Sequence, residues 1–468
     1  MNSIRTYEFK GELIHPHQPA GMEWMYQKEL CKPAGGVLCD EMGMGKTIQC
    51  LALMCKRPQS TLVVVPKSLI TQWQNSIQTY TNLPCDVFSK HSHNENSLVT
   101  ICTYNNVQCL SNTLHKTNWG RIILDEGHVI RNKKTKLFHA VCNLSCNGAR
   151  FVLTGTPVFN VVDDVVNLLL FIGFGSIECR DNLDRIKNNY FLRRIKTQDT
   201  NSASPQLSCV ITDVKVQASD DEQKIYRSVF HKQRKIIAKS DENCRSLSVL
   251  NGILKCRQAM IHPNLVQNDT QMTSTKMEMV QLKISSHLED KCIIFCHFKK
   301  EMQFMKEHIK SLYSEDLIAF IHGDLTTLER DEQLHNFENQ GNVLIIQMKV
   351  GGVGLNLQHA NHIYLTSPSW NPATDLQAIH RSYRTGQQKQ VNVTRLFMEN
   401  IDELPSIDMA ILHLQDKKQQ LTNQVLEEDK NTNLLGSIID GALPDSSSIK
   451  YFAKVFQSTT NKWLNDRL

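Results

Sequence analysis

The sequence predicts an α/β chain of two parallel-sheet lobes, a helical insert between them and a helical C-terminal extension. Three observations carry that prediction. Short β-branched apolar runs alternate with amphipathic helical stretches, and this happens twice along the chain. A stretch from about 218 to 270 has helical patterning and no strand signal, and it separates the two sets. Charged helical sequence then follows residue 405. Alternation of this kind argues for βαβ units and parallel sheets.

In chain order, the first set of strands is Thr61–Val65, Leu98–Cys102, Arg121–Leu124 and Phe151–Leu153. Turn or polar residues bound each run, as expected of strands buried on both faces. Thr197–Ser208 is polar and breaker-rich and reads as a linker. The second set is Cys292–Phe295, Ile318–Ile321, Val343–Ile346, Ile363–Leu365 and Val391–Leu396, with helical patterns over Lys276–His287 and Leu325–Phe337. An apolar patch at Ile449–Phe456 lies near the end. The divisions that follow are 1–198 for the first lobe, 199–275 for linker and insert, 276–404 for the second lobe and 405–468 for the extension.

Composition excludes several classes. At 468 residues, with 41% hydrophobic and 21% charged, the chain is an ordinary globular one rather than a disordered one. A net charge of +5 is too mild for a protein that coats nucleic acid, though it allows a local basic groove. The strongest apolar run, Leu168–Ile172, falls far short of the roughly 20 residues that span a bilayer. The first residues lack the apolar core of a signal peptide. The 15 cysteines form no C-x-x-C pair, so they read as free thiols of a reducing compartment, cytosol or nucleus, and not as zinc ligands.

The sharpest local feature is Asp40-Glu41-Met42-Gly43-Met44-Gly45-Lys46-Thr47, preceded by Gly35-Gly36-Val37-Leu38. Glycines such as Gly43 and Gly45 let backbone N–H groups approach phosphate oxygens, and a helix starting after them adds a favourable dipole. Lys46 would place a charge on the β/γ-phosphates of ATP, and Thr47 a hydroxyl on Mg²⁺. Asp40 stands where the G-x-x-x-x-G-K-[ST] pattern has its first glycine. The decisive partner is Arg121-Ile-Ile-Leu-Asp125-Glu126, an apolar strand ending in two carboxylates. Asp125 suits Mg²⁺, and Glu126 suits polarising the attacking water.

With these residues in hand, the chain resembles the Snf2 family of DNA-dependent ATPases in helicase superfamily 2, over roughly residues 13 to 400. Asp40–Thr47 resembles that family's own motif I, in which the aspartate is normal. Leu13–Trp24 resembles its Q motif, which implies that Gln18 reads the adenine edge. Further matches are Val65–Leu69 with Gln72-Trp73, Thr103-Tyr104, Asp125–His128, and Leu153–Pro157 with Asn160. Around the insert they continue with Phe191-Leu192-Arg193-Arg194, Gln223–Tyr226, and Arg257-Gln258 with His262-Pro263. The second lobe contributes Lys291–Phe298, His322-Gly323-Asp324, Gly351–Leu357 and Gln377–Gln387. The resemblance implies two RecA-like lobes and nucleotide contact at Gly354. It also implies catalytic arginines at Arg381 and Arg384, which we expect on one face of a helix in the second lobe, reaching the nucleotide when the lobes close. It implies contacts to DNA phosphates by Lys67, Ser68, Thr103, Asn132, His322, Trp370 and Asn371.

Departures from the family pattern are Gly127 for alanine, Ser367 and Ser369 for an aspartate and an aromatic residue, and His380 for an acidic residue. None removes a reacting group, so an active enzyme is expected. Gly351–Leu357 and Trp370–Gln387 lie nearest the branch whose larger members carry a RING finger, but no zinc or RING ligands are present here. The bare core resembles compact Snf2-type proteins of large DNA viruses. The expected function is ATP-driven translocation on double-stranded DNA that displaces nucleosomes or other bound proteins, by a monomer with no membrane partner, in a nucleus. The rivals are a strand-separating helicase and a catalytically inactive DNA-binding recruitment module.

Overall fold

The computed structural model describes residues 7–88, 97–109, 111–155, 162–194, 208–267, 272–351, 355, 357–384, 387–402, 404–416 and 446–457. The chain divides into two compact units, Met1–Asn201 and Ser202–Leu468. Most of the predicted linker, together with Thr156, Pro157, Asn160, Gly354 and residues 417–431 of the charged tail, lies outside the described residues.

The first unit is built on a parallel sheet of seven strands: β1 (Gly35–Leu38), β2 (Thr61–Val65), β3 (Cys85–Val87), β4 (Val99–Thr103), β5 (Trp119–Asp125), β6 (Cys146–Leu153) and β7 (Phe191–Leu192). Their order across the sheet is β3-β4-β2-β5-β6-β1-β7. The central strands are apolar along their whole length because helices cover both faces; every residue of Thr61–Val65 is buried. Arg121 is the exception on β5. It is fully buried, and Nε donates to Glu29 Oε1 at 2.5 Å while Nη1 reaches Thr61 Oγ1 and Nη2 the Arg57 carbonyl.

The second unit is built on a parallel sheet of six strands: β8 (Cys209–Val216), β9 (Cys292–Cys296), β10 (Ile318–Ile321), β11 (Val343–Gln347), β12 (His362–Leu365) and β13 (Val391–Met398). Their order is β10-β11-β9-β12-β13-β8. Five of these strands match the predicted runs. β8 does not: it forms just after the expected linker, inside the stretch assigned to linker and insert, and it pairs along its full length with β13. As an edge strand with one neighbour it is mostly exposed, so it lacks the continuous apolar run that marks the others.

The insert is a pair of helices, Asp220–Lys239 and Glu242–Ile261. Ser219 caps the first in a reciprocal box with Glu222, and Asp220 and Asp221 in the first turn complement its dipole. Glu222 also accepts from the Thr275 backbone, tying the insert to the start of helix Thr275–Ile284. The late apolar patch is a helix, Ser446–Gln457, whose Phe456 ring stacks on Phe230 of the insert at 5.0 Å.

Candidate ATP and nucleic-acid sites

In a parallel α/β sheet, ligands gather at the carboxyl ends of the strands. That edge of the first unit collects nearly every residue singled out there. The loop 39–45 leaves β1, Asp125 ends β5, and Gly155 follows β6, which lies between those two strands. Gly45 caps helix Lys46–Lys56 with φ +78°, a left-handed conformation that favours glycine, and a Cβ there would stand 2.6 Å from Gln18 Nε2. Gln18 is buried, and its amide donates to the Met44 carbonyl at 3.4 Å. The Q segment therefore rests directly on the phosphate loop.

Lys46 folds back across the loop, with Nζ donating to the carbonyls of Asp40 at 2.7 Å and Glu41 at 3.2 Å. Gly155 faces the same ammonium, since a Cβ there would lie 3.1 Å from Nζ. Asp125 Oδ2 accepts from the indole N–H of Trp73 at 2.7 Å, Oδ1 from the Glu126 backbone, and its carbonyl from Tyr104 Oη at 2.8 Å. Burial, and then the adjacent Glu126 charge, hold the Asp125 carboxyl above the usual carboxylate range; the Trp73 bond and the Lys46 charge work the other way. The influence of Lys46 on Asp125 places loop and strand end in one electrostatic neighbourhood. Thr47, beside Lys46, and Asp125 form a hydroxyl and carboxylate donor set of the hard-oxygen kind that Mg²⁺ takes.

Glu126 adopts φ +52°, the left-handed region that a side-chain-bearing residue rarely occupies, and its Oε2 lies 3.3 Å from His128 Nδ1. Gly127 follows, and its departure from alanine has a steric reason. A Cβ there would stand 2.4 Å from Val152 Cγ1 on β6.

The proposed DNA contacts of the first unit share the same edge, displaced along the sheet. Lys67 and Ser68 form the turn after β2, Thr103 ends β4, and Asn132 lies shortly after the Gly127–Ile130 turn that follows β5. The strands β4, β2 and β5 are neighbours, which brings the four residues to one side of the nucleotide loop. Lys133 and Lys134 beside them are exposed.

In the second unit, His322 follows β10, where its Nδ1 accepts from the Asp324 backbone. Trp370 is half-buried, edge-on to Phe452 at 5.6 Å and under the Arg257 guanidinium at 5.4 Å; Asn371 precedes helix Pro372–Ile379. The expectation that Arg381 and Arg384 share a helix face is corrected. The helix ends at Ile379, and Arg381 and Ser382 bond instead to carbonyls three residues back, at 3.2 and 3.1 Å. The polar sequence His380-Arg-Ser-Tyr-Arg384 tightens into turns, for which serine is suited. Arg381 is buried, and its carbonyl accepts from the Leu357 N–H, which anchors Leu357 to it. Burial lowers the pKa of Arg384.

Ser367 is compensated from elsewhere in the chain. Its hydroxyl donates to Asp408 Oδ1 at 2.9 Å, and Asp408 Oδ2 accepts from the buried Lys276 ammonium and the Met398 N–H. A carboxylate thus reaches this position from outside the motif. Sequence reasoning also missed Trp73 and Tyr104 as supports of Asp125; both lie inside the family-like segments Gln72-Trp73 and Thr103-Tyr104, and that was the available signal. One group of possible metal ligands occurs among the described residues, His287, Asp290 and His362. The two imidazoles stack at 3.6 Å and 11°, so their in-plane lone pairs run parallel instead of converging, and Lys389 already neutralises Asp290 at 2.6 Å.

Two α/β units, one carrying a phosphate loop beside a strand-end Asp-Glu pair and the other a paired-arginine motif, define an ATP-hydrolysing core. Residues 17–180 match the SNF2-related domain, and residues 275–386 match the helicase conserved C-terminal domain. The chain belongs to the Snf2 family of DNA-dependent ATPases within helicase superfamily 2. It is 28% identical to the probable global transactivator of Orgyia pseudotsugata multicapsid polyhedrosis virus, over 88% of this chain and 91% of that one. It is 25% identical to the DNA excision repair protein ERCC-6 of Mus musculus over 95% of this chain, and 26% identical to the ISWI chromatin-remodeling complex ATPase CHR17 of Arabidopsis thaliana over 90%. It spans only 35% and 43% of those two cellular relatives. Among solved structures, the Sulfolobus solfataricus SWI2/SNF2 ATPase core in complex with dsDNA aligns at a TM-score of 0.42 and 24% identity, covering 91% of this chain and 95% of that one.

Proposed function

We propose that this protein is an ATP-dependent translocase on double-stranded DNA that displaces or remodels proteins bound there. The observation that carries the reading is the common edge of the first unit. There the nucleotide loop with Asp125 and Glu126 stands beside Lys67, Ser68, Thr103 and Asn132, so hydrolysis and a phosphate-backbone track would be served by neighbouring strands of one sheet. Backbone contacts suit a motor that must ignore base sequence.

In this reading Lys46 binds the β/γ-phosphates, Gln18 meets the adenine, and Glu126 orients the attacking water from its left-handed backbone position. Thr47 and Asp125 would hold Mg²⁺, which neutralises phosphate charge. Arg381 and Arg384 stabilise charge on the transferred phosphoryl group, and Gly354 approaches the nucleotide. His322, Trp370 and Asn371 add DNA contacts from the second unit. The names of the relatives span transcription, repair and chromatin remodelling, which supports nucleosomes or other DNA-bound proteins as targets and a nucleus, that of a host cell for a viral protein, as the place of action. A monomer suffices for this chemistry.

The test is ATP turnover with and without duplex DNA, beside Lys46→Ala and Glu126→Gln, together with displacement of a triplex strand. Duplex-stimulated turnover, lost in both variants by a factor of about 10² or more, is expected. Wild-type turnover no higher than that of the variants would mean a recruitment module. Strand release from a forked duplex would mean a helicase, and equal stimulation by duplex RNA would remove the DNA assignment.

A further inference from the structure

Asp40 occupies the place of a glycine in the usual phosphate loop, and its surroundings explain how the loop tolerates it. The carboxylate is completely buried. Its Oδ1 accepts from Arg194 Nε at 2.8 Å and its Oδ2 from Arg194 Nη2, a two-pronged guanidinium–carboxylate pair; Gln49 Nε2 adds a third donor at 3.2 Å. Arg194 also donates through Nη1 to the carbonyl of His17 and through Nη2 to Gln49 Oε1 at 3.0 Å. Its own carbonyl accepts from Glu41 N–H at 3.0 Å, and the Leu192 carbonyl from Cys39 N–H at 2.7 Å, which prolongs the β1–β7 pairing into the loop.

Each partner of this one side chain is next to a nucleotide-bearing group. His17 precedes Gln18. The Asp40 carbonyl holds the Lys46 ammonium. Gln49 holds the Met44 carbonyl at 3.3 Å, the same oxygen that Gln18 and His17 reach. We propose that Arg194 is a positioning residue for the nucleotide: through Asp40, Gln49 and His17 it locks the phosphate loop and the Q segment into one rigid cradle, the task that a glycine-shaped turn performs in loops of the usual pattern. A lysine cannot replace it, because three acceptors in different directions require the planar fork. The inference rests on the reading that the loop of Lys46 and Thr47 binds ATP.

The experiment uses the full chain and measures equilibrium binding of a fluorescent ATP analogue, KM and kcat for ATP, and the thermal midpoint. Arg194→Lys is expected to remain folded, to raise Kd and KM about tenfold, and to lower kcat at saturating ATP less than threefold. A purely structural arginine would lower the midpoint and leave KM in place. Should Arg194→Lys not fold, Asp40→Asn removes one prong with almost no change of volume and is expected to raise Kd at least threefold. Wild-type affinity in whichever variant is folded overturns the proposal alone. Absence of binding by the wild type overturns instead the ATP-site reading beneath it.

Discussion

Trp73 donates its indole N–H to Asp125 Oδ2 at 2.7 Å, and both residues are buried. The donor comes from helix Ile70–Tyr80 and the acceptor from the end of β5, so a helix that lies outside the nucleotide loop sets the orientation of the carboxylate proposed to hold the metal. A hydrogen bond to a charged group contributes about 1.5–3 kcal/mol. Trp73→Phe should therefore lower kcat/KM for ATP about tenfold or more. It should also raise the Asp125 pKa further, because the bond favours the charged form, and so move the acidic limb of the pH–rate profile to higher pH. An unchanged profile would show that the indole is only packing.

Gly127 tests the steric account of the Asp125–His128 segment. Alanine, the residue usual at this position in the family, should destabilise this protein by about 1–3 kcal/mol, as overpacking does, because the β-branched Val152 cannot swing away from the new Cβ. Adding Val152→Ala should recover part of that loss. Urea denaturation of the two variants measures both; a neutral Gly127→Ala would refute the explanation.

Two histidines of the second unit make stability acid-sensitive. Burial, with a smaller contribution from His308, holds His262 down to about 4, and burial together with Arg257 holds His297 well below its ordinary value. Their folded-state pKa values lie under the unfolded value of about 6.5, so the folded protein resists protonation. Stability from these groups is complete above that value and is lost as pH falls through the window below it. Melting midpoints recorded from pH 7.5 to 4.5 should decline, and His262→Phe should shrink the decline.

The terminal helix Ser446–Gln457 is expected to be integral to the second unit. Phe456 is buried against Phe230 of the insert, and its truncation to alanine should cost about 3–5 kcal/mol. A loss below 1 kcal/mol in chemical denaturation would mean that the helix docks loosely.

What was readable in the sequence follows from where each strand sits. Thr61–Val65 is buried on both faces, and that burial demands an unbroken β-branched run which pattern alone reveals. β8 carries Asp213 and Lys215 within a mostly exposed strand, and its partner among the described residues is β13, far away in the chain. No local signal distinguishes such an edge from a linker. The turn at Arg381 was misread for a related reason: spacing of three suits a helix, but the backbone hydrogen bonds choose the tighter turn.

The fold class, the order of the motifs and the residues proposed to react are legible in the amino-acid sequence alone, because local periodicity encodes burial and a phosphate loop is contiguous. The side chains that support them emerge from the packed fold: Arg194 on Asp40, Trp73 on Asp125, and Asp408 beneath Ser367. Each pair joins distant parts of the chain, and a hydrogen bond needs its partners within about 3 Å in a fixed direction. Periodicity shows that a polar group will be buried. Strand order and helix packing decide what meets it there.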